Sequence, residues 1–353
     1  MAESVKWKIL PFFIPLEGCR QSCIYCDQRA LSGRIRGPRV EEIAAAIAAW
    51  REESPPEVAF YGGSFSALSR GKQSYYLAPA TLALAKGQIS GIRISTRPDC
   101  LDNDRLDFLI RAGVNTIELG IQSFDNQVLL ASERGYDRET ALAACRLVQS
   151  KGLKLGIQLM PGLPWDKLSL ASALTAAGLL PQSVRIYPTV VLKDTELAKA
   201  WQQGLYQPLD LAEAVRLCRD IWAIFEAAQI RTIRIGLNPL EDESKVLAGP
   251  YHPAFGHLVK SALKLEQIRH LLAEEPKDQE LCLLLPKQDL SRVIGHKQSN
   301  WQALVQDYPR LYREIAEKLP GGTVALMNGK ALSWQEFICI YDLGVKTIYA
   351  KKL

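Results

Sequence analysis

Residues 16–33 read LEGCRQSCIYCDQRALSG and place Cys19, Cys23 and Cys26 at C-x3-C-x2-C spacing. A structural zinc site takes four ligands and a disulfide framework takes an even number of cysteines, so a group of three requires another explanation. Three thiolates can hold an iron–sulfur cluster while one iron remains open to a bound small molecule. Alternatively, they can hold zinc together with a distant histidine or a fourth cysteine. The surrounding sequence has to decide between these two kinds of site.

The composition is that of an ordinary globular protein. The 353 residues are 48% hydrophobic and 23% charged, which allows a large core and argues against global disorder. The N-terminal stretch lacks a basic segment followed by a long apolar run, and no window approaches the ~18 apolar residues of a membrane span. The sequence therefore predicts a cytoplasmic protein, in which clustered cysteines act as ligands rather than as disulfides. The net charge of +5 permits a polyanionic partner.

Short apolar segments alternate with longer amphipathic segments through most of the chain. The predicted strands are residues 8–15, 57–63, 91–96, 116–122, 153–160, 183–191 and 232–238. The clearest helical patterns are residues 40–53, 103–113, 137–152 and 211–229. Apolar strands that are each followed by a helix indicate a parallel sheet built from βα units. The sequence predicts an α/β fold with a partial or near-complete TIM-like barrel, in preference to an open Rossmann sheet, and the polar clusters that end the strands are expected at one rim.

The pattern changes after residues 248–261. We predict a barrel domain over residues 1–262 and a small α+β domain over residues 263–353. The elements predicted for the small domain are a strand over 280–286, helices over 289–294 and 299–318, and short strands over TVALMN and TIYAKK.

The context of the three cysteines favours the cluster over zinc. The aromatic Tyr25 precedes Cys26, and the motif follows a first predicted strand and precedes a first helix. In these features the sequence resembles the radical S-adenosylmethionine (radical SAM) superfamily, whose signature is C-x3-C-x-Φ-C. The resemblance implies a 4Fe-4S cluster on Cys19, Cys23 and Cys26, S-adenosylmethionine on the open iron, and an external one-electron reductant such as ferredoxin or flavodoxin. The cofactors would supply a 5′-deoxyadenosyl radical that abstracts hydrogen from a substrate.

Further segments at the strand ends match the superfamily and imply contacts with S-adenosylmethionine. The YGGSF segment implies a site for the methionine amino group, STRPD and GIQSFD imply groups near the ribose and carboxylate, and MPGLP implies a turn against the adenine. The corresponding candidates are Gly62, Gly63, Ser64, Arg97, Gln122, Ser123 and Gly162.

Three candidates for catalytic residues project from the late strands toward the predicted barrel mouth. They are Arg185, Tyr187 and Arg234. Buried arginines at a barrel rim either bind an anionic substrate or form structural ion pairs, and the sequence alone leaves both alternatives open.

Within the superfamily, the segments ISTRPD, IELGIQSFD and MPGLP, together with residues 184–215, resemble the family of the Elongator catalytic subunit. The resemblance covers about residues 8–260. Members of that family act on the wobble uridine of tRNA and use acetyl-CoA. The present sequence departs from them because the residues after the barrel contain no R-x-x-G-x-G/A pyrophosphate loop. No acetyl-CoA domain is therefore expected, and the resemblance does not predict which group is transferred to the base.

Residues 280–309 resemble a KH-type module, in which a GxxG loop between two helices holds nucleic-acid backbone. Gly295, His296 and Lys297 stand at the first three loop positions, and Gln298 replaces the second glycine. With Arg292 they form a basic edge suited to phosphate. The alternative is an ordinary pair of packed helices with solvated charges.

Taken together, these features predict a radical SAM enzyme that modifies RNA, with a nucleobase in tRNA or rRNA as the target. One alternative is a radical SAM enzyme that acts on a small molecule or a porphyrin, as relatives of the oxygen-independent coproporphyrinogen oxidase do. Another is a non-enzymatic RNA-binding protein that retains the cluster.

Overall fold

The computed structural model describes residues 8–19, 23–273, 275–315, 323–328, 338–342 and 348–351. They form two compact units. The first unit contains the described residues up to Ala214 together with Ile230–Pro253, and the second contains Val215–Gln229 and the described residues from Ala254 onward. The boundary at residues 262 and 263 that the sequence suggests stays a prediction.

The first unit is built on a seven-stranded sheet in which every neighbouring pair is parallel. The strands of the first unit are β1 (Ile9–Ile14), β2 (Glu57–Gly62), β3 (Gly91–Thr96), β4 (Val114–Gln122), β5 (Lys154–Leu159), β6 (Ser183–Ile186), β7 (Val191–Leu192), β8 (Arg231–Ile235) and β9 (Val246–Ala248). The seven-stranded sheet has the order β1-β2-β3-β4-β5-β6-β8, and β7 pairs with β9 in a separate antiparallel pair. The structure confirms the predicted α/β class and the parallel sheet.

The helices follow the strands as the sequence pattern predicts. They are α1 (Gln28–Ser32), α2 (Val40–Ala48), α3 (Arg70–Ala85), α4 (Asn103–Arg111), α5 (Asn126–Ala131), α6 (Arg138–Ser150), α7 (Ser169–Gly178), α8 (Glu196–Gln202), α9 (Leu211–Ala227), α10 (Phe255–Leu272), α11 (Leu290–Ile294) and α12 (Ser299–Asp307). Several begin at a polar residue whose side chain accepts a hydrogen bond from an otherwise unpaired backbone N–H. Asp102 caps α4 and Asp137 caps α6 in this way. None of the helices in the described parts of the chain has the length and apolarity needed to cross a membrane.

The sheet curls into a partial barrel. Arg185 on β6 donates a hydrogen bond to the hydroxyl of Tyr61 on β2, and its guanidinium lies 4.4 Å from the centre of the Tyr61 ring. These strands are four places apart in the sheet, so in a flat sheet they would lie roughly 19 Å from each other. Within the described residues, the edge strands β1 and β8 are not hydrogen-bonded to one another, which leaves the barrel open on one side.

The predicted strand over residues 183–191 is interrupted in the structure. β6 ends at Ile186, and the chain resumes extended pairing only in the two residues of β7. Pro188 lies between them and has no N–H to donate to a sheet, so a continuous strand is disfavoured at this position.

The second unit contains a five-stranded sheet. Its strands are β10 (Leu281–Leu285), β11 (Leu311–Ile315), β12 (Thr323–Asn328), β13 (Ile338–Asp342) and β14 (Ile348–Lys351), in the order β11-β10-β12-β13-β14. β10 is parallel to β11, the other pairs are antiparallel, and α11 and α12 connect β10 to β11. A core of leucines from β10 packs against Ile268 and Leu272 of α10 and Leu304 of α12.

The prediction of one helix over residues 299–318 is wrong for residues 308–315, and residues 316–318 lie outside the described residues. Residues 311–315 form β11 instead, in parallel register with β10. Pro309 disfavours the helical conformation at Tyr308, where α12 ends, and the next segment gains hydrogen bonds by joining the sheet.

Candidate active site

A cavity of about 710 Å³ opens where the carboxyl ends of the parallel strands meet. The carboxyl ends of barrel strands are where active sites of this architecture are found. Most site residues predicted for the first unit line this cavity. They are Cys19, Cys23, Cys26, Gly62, Gly63, Ser64, Arg97, Gln122, Arg185, Tyr187 and Arg234.

The loop that carries the cysteines is anchored to the turn after β2. The N–H of Gly63 donates to the carbonyl of Ile14 at 2.8 Å, and the N–H of Ser64 donates to the carbonyl of Glu17 at 2.9 Å. A Cβ atom at Gly63 would lie 1.7 Å from the Glu17 carbonyl oxygen, so only glycine permits this approach. The glycine pair therefore positions the cysteine loop. Its contact with a methionine amino group stays a prediction, and because an amino group donates hydrogen bonds, such a contact would use backbone carbonyl oxygens.

The sulfur atoms lie among hydrogen-bond donors. Arg134 Nη1 lies 3.0 Å and Arg97 Nη1 lies 3.5 Å from Cys23 Sγ, and Ser64 Oγ lies 3.6 Å from Cys19 Sγ. Burial, followed by the charges of Cys23 and Cys19, raises the pKa of the Cys26 thiol to about 12. A bound metal cation reverses this effect, because it deprotonates the thiols that coordinate it.

The residues present fit an iron–sulfur cluster. All three cysteines are free thiols and line one cavity. Two guanidinium groups donate toward Cys23, as expected around a sulfur that carries negative charge. Among the residues that the structure describes, no three His, Cys, Asp or Glu side chains are arranged around a single metal ion. A cluster does not need that arrangement, because each thiolate binds a different iron.

Arg134 is one of the site residues that sequence reasoning missed. It follows α5 in the segment SERGYD, which matches no motif, yet its side chain is only 4% exposed and reaches the cavity wall. Besides Cys23, it donates to the hydroxyls of Tyr25 at 3.0 Å and Tyr136 at 2.9 Å. Burial lowers the pKa of Arg134, but Tyr136, Tyr25 and Cys23 outweigh burial and hold it well above its ordinary value, so the guanidinium keeps its charge beside the sulfur.

A buried ionic network includes two residues that line the same cavity, Glu118 and Arg185. Glu118 on β4 accepts from Arg185 Nε at 2.8 Å and from Arg93 Nη1 at 3.2 Å, and Arg93 Nε also pairs with Glu57 at 2.9 Å. Arg185 Nη1 donates in addition to the hydroxyl of Tyr187 at 2.9 Å. Of the two alternatives for Arg185, the structure shows the ion pair.

Two predicted residues do not reach the cavity. The hydroxyl of Ser123 accepts the N–H of Asp125 at 3.1 Å, which shapes the loop before α5. Gly162 has a φ of +84°, and its carbonyl accepts the hydroxyl of Tyr206 at 2.6 Å, so it forms the turn after β5. The structure gives both residues a role in local turns.

The four predicted RNA-binding residues lie together in the second unit. Arg292 is in α11, and Gly295, His296 and Lys297 form the loop before α12. Lys297 and the following Gln298 have φ angles of 50° and 63°, so Gln298 adopts the left-handed conformation that a second glycine would take without strain.

Comparisons with known proteins match two family models to the chain. The model of the radical SAM superfamily matches residues 13–172, and the model of the radical SAM C-terminal domain matches residues 181–265. A tRNA uridine(34) acetyltransferase of Methanocaldococcus infernus is 33% identical over 156 residues, which are 43% of this chain and 29% of that protein. The Elongator complex protein 3 of Mus musculus is 28% identical over 139 residues, which are 38% of this chain and 25% of that protein. The chain thus spans less than a third of the length of these two relatives.

One solved structure shares the fold over nearly the whole chain. The Elp3 protein of Methanocaldococcus infernus, solved without its N-terminus, superposes with a TM-score of 0.58 at 19% identity. The match covers 95% of this chain and 74% of that chain. At this level of identity the likeness concerns the fold.

Proposed function

The chain belongs to the radical SAM superfamily, and from this premise we propose that it modifies a nucleobase in RNA, with tRNA as the substrate. It is a radical SAM enzyme whose cofactors are a 4Fe-4S cluster and S-adenosylmethionine. When bound, these cofactors supply a 5′-deoxyadenosyl radical for hydrogen abstraction. The arrangement that carries the proposal is the cavity at the strand ends, where three free thiols and the cationic Arg134 meet.

The residues of the chain would divide the work as follows. Cys19, Cys23 and Cys26 would hold the cluster, and Arg134 and Arg97 would hold positive charge beside Cys23. The walls of the partial barrel enclose part of the cavity and would limit the access of water to a radical. An external one-electron donor such as ferredoxin or flavodoxin would reduce the cluster.

Support for RNA as the substrate comes first from the relatives. Three of the similar proteins carry names that state an action on uridine 34 of tRNA. The matched regions are limited to about 40% of this chain, so the group that is transferred is not part of the proposal.

The second unit offers independent support, because positive side chains crowd on one part of it. Burial, followed by Arg292, His296 and Lys260, lowers the pKa of His257 on α10. Burial and Arg292 likewise lower the pKa of Lys260, which Glu226 partly opposes. Asn300 holds this group in place by donating to the carbonyls of Ser261 at 2.8 Å and Arg292 at 3.3 Å. Arg292 also pairs with Asp289 at 3.3 Å. A polyanion would ease the repulsion between Arg292 and Lys260, and we propose that RNA phosphates bind here.

The test compares nucleosides and cofactor cleavage. Total RNA from cells with and without the gene should differ by one modified nucleoside in mass spectrometry. Purified, anaerobically reconstituted protein should cleave S-adenosylmethionine to 5′-deoxyadenosine, and unmodified tRNA should increase the yield.

Two results would contradict the proposal. One is an unchanged nucleoside profile together with cleavage that tRNA does not affect, which would favour a small-molecule substrate. The other is an absence of cleavage above background, which would favour a non-enzymatic RNA-binding protein.

A further inference from the structure

Arg185 and Arg234 lie side by side on the neighbouring strands β6 and β8. The strand register pairs Val184 with Thr232 and then Arg185 with Arg234, so Ile233 is an extra residue on β8. Such a bulge re-aims the side chains that follow it, and bulges are common next to active sites. Here it places two arginines opposite each other at the cavity wall, an arrangement that like-charge repulsion disfavours.

Only one of these two arginines is neutralised by an acidic side chain. Arg185 pairs with Glu118 at 2.8 Å. Arg234 donates instead to two carbonyls of its own loop, Gly236 at 2.9 Å and Leu237 at 2.6 Å, and it has no carboxylate partner among the described residues. Burial, together with the charge of Arg185, lowers the pKa of Arg234, while Tyr187 opposes this effect. Arg234 is therefore a half-buried cation whose charge no carboxylate in the described parts of the chain balances.

Arg234 lines the cavity and retains hydrogen-bonding capacity. A guanidinium has five N–H donors, and the two loop carbonyls accept from the one on Nε and from one of the two on Nη2. Nη1 thus keeps two donors for a ligand. Tyr187, which also lines the cavity, accepts a hydrogen bond from Arg185 and retains its own phenolic proton as a donor.

We propose that Arg234 and Tyr187 form an anion subsite in the barrel wall, which binds a phosphodiester group of the RNA next to the nucleotide that enters the cavity. The phosphodiester assignment rests on the proposed function, whereas the preference for an oxyanion, phosphate or carboxylate, rests on the geometry alone. A planar guanidinium with two free donors is suited to either oxyanion. Arg185 would act as a positioning residue, because it holds the Tyr187 hydroxyl beside Arg234.

The experiment measures binding of a tRNA anticodon stem-loop in which single phosphodiesters near the target base are replaced by neutral methylphosphonates. With the wild-type holoprotein, one replacement should weaken binding about 10-fold, the loss expected for one charge-assisted contact. Arg234→Gln should bind the unmodified stem-loop equally weakly and be insensitive to the same replacement. For this variant, the slope of the logarithm of the binding constant against the logarithm of the salt concentration should fall by about 0.7, the value for one phosphate of a single strand.

Matched variants separate charge from folding. Arg231→Gln alters an exposed arginine at the start of the same strand and should bind like wild type. Arg234→Lys keeps the charge and should recover part of the affinity. Circular dichroism and thermal unfolding should show that all three variants fold.

A second arm titrates inorganic phosphate, acetate and acetyl-CoA by calorimetry. If no methylphosphonate position matters but Arg234→Gln loses binding of a small anion, the subsite stands and its assignment to RNA is overturned. If the wild type binds no RNA, the proposed function fails, and the phosphate titration alone decides the subsite. If Arg234→Gln matches wild type in both arms, the inference is overturned.

Discussion

Glu118 is expected to be the most sensitive ionic residue of the barrel. Its carboxylate is 1% exposed and receives two guanidinium groups, Arg185 at 2.8 Å and Arg93 at 3.2 Å. The buried group consists of two cations, Arg93 and Arg185, and two anions, Glu57 and Glu118. Glu118→Gln removes one negative charge and leaves Glu57 as the remaining anion. Leaving a buried charge without its partner costs about 3–5 kcal/mol. For a unit of this size the loss corresponds to a fall in Tm of roughly 6–20 °C.

The assay is urea unfolding followed by far-UV circular dichroism, with thermal unfolding as a second measurement. The matched control is Asp107→Asn, which breaks the pair between Asp107 and Lys151 at 2.6 Å on the surface. Exposed pairs contribute about 0–1 kcal/mol, so this variant should be close to wild type. In Glu118→Gln, the additional change Arg185→Met should restore part of the stability, because it removes the unbalanced cation.

Two results of these unfolding measurements would contradict the role assigned to Glu118. If Glu118→Gln unfolds within 1 kcal/mol of wild type, as estimated for the surface control, the carboxylate does not balance the two arginines. If Arg185→Met lowers the stability of Glu118→Gln further, an unbalanced charge on Arg185 is not what destabilises that variant.

Three further outcomes are expected. Cys23→Ala should lose the iron and the cleavage of S-adenosylmethionine, whereas Cys145→Ala, which alters a buried cysteine of α6, should retain both; iron retained in Cys23→Ala would exclude that residue as a ligand. Gly63→Ala should destabilise the cysteine loop and reduce iron incorporation, because its Cβ would lie 1.7 Å from the Glu17 carbonyl oxygen, and an unchanged iron content would contradict this reason. Burial raises the pKa of Asp166, so its contribution to stability is present at acid pH and is lost as the pH rises through the raised value. Asp166→Asn should therefore show less stability gain on acidification in urea unfolding between about pH 7 and about pH 4 than wild type does.

Much of the first unit was predictable because its signals are local in the chain. Apolar strands alternate with amphipathic helices, and the Asp caps at the starts of α4 and α6 lie next to the helices that they begin. Two errors in strand and helix bounds lie at prolines, and in a third the helix predicted over residues 40–53 ends at Ala48. Pro188 interrupts a predicted strand because it has no N–H to donate, and Pro309 ends a predicted helix because it disfavours the helical conformation at Tyr308.

In the candidate site, too, residues close together in the chain were predictable and residues far apart were not. The spacing of Cys19, Cys23 and Cys26 is contained in a single loop, so the sequence by itself determined the metal-ligand candidates and the superfamily. Arg134 is 111 positions from Cys23, and nothing near it in the chain signals a role. Only the folding of β4 and its following loop beside the cysteine loop brings the two together.

Arg185 and Arg234 are of the same residue type and end similar apolar strands, so sequence reasoning assigned them the same alternatives. The tertiary structure separates them, because Glu118 lies within 2.8 Å of one and pairs with no atom of the other. Electrostatic energy depends on the distance between charges and on their removal from water. The order of residues along the chain gives neither quantity, whereas it does give spacing and periodicity. The fold could therefore be predicted from the sequence, and the balance of charge in the cavity could not.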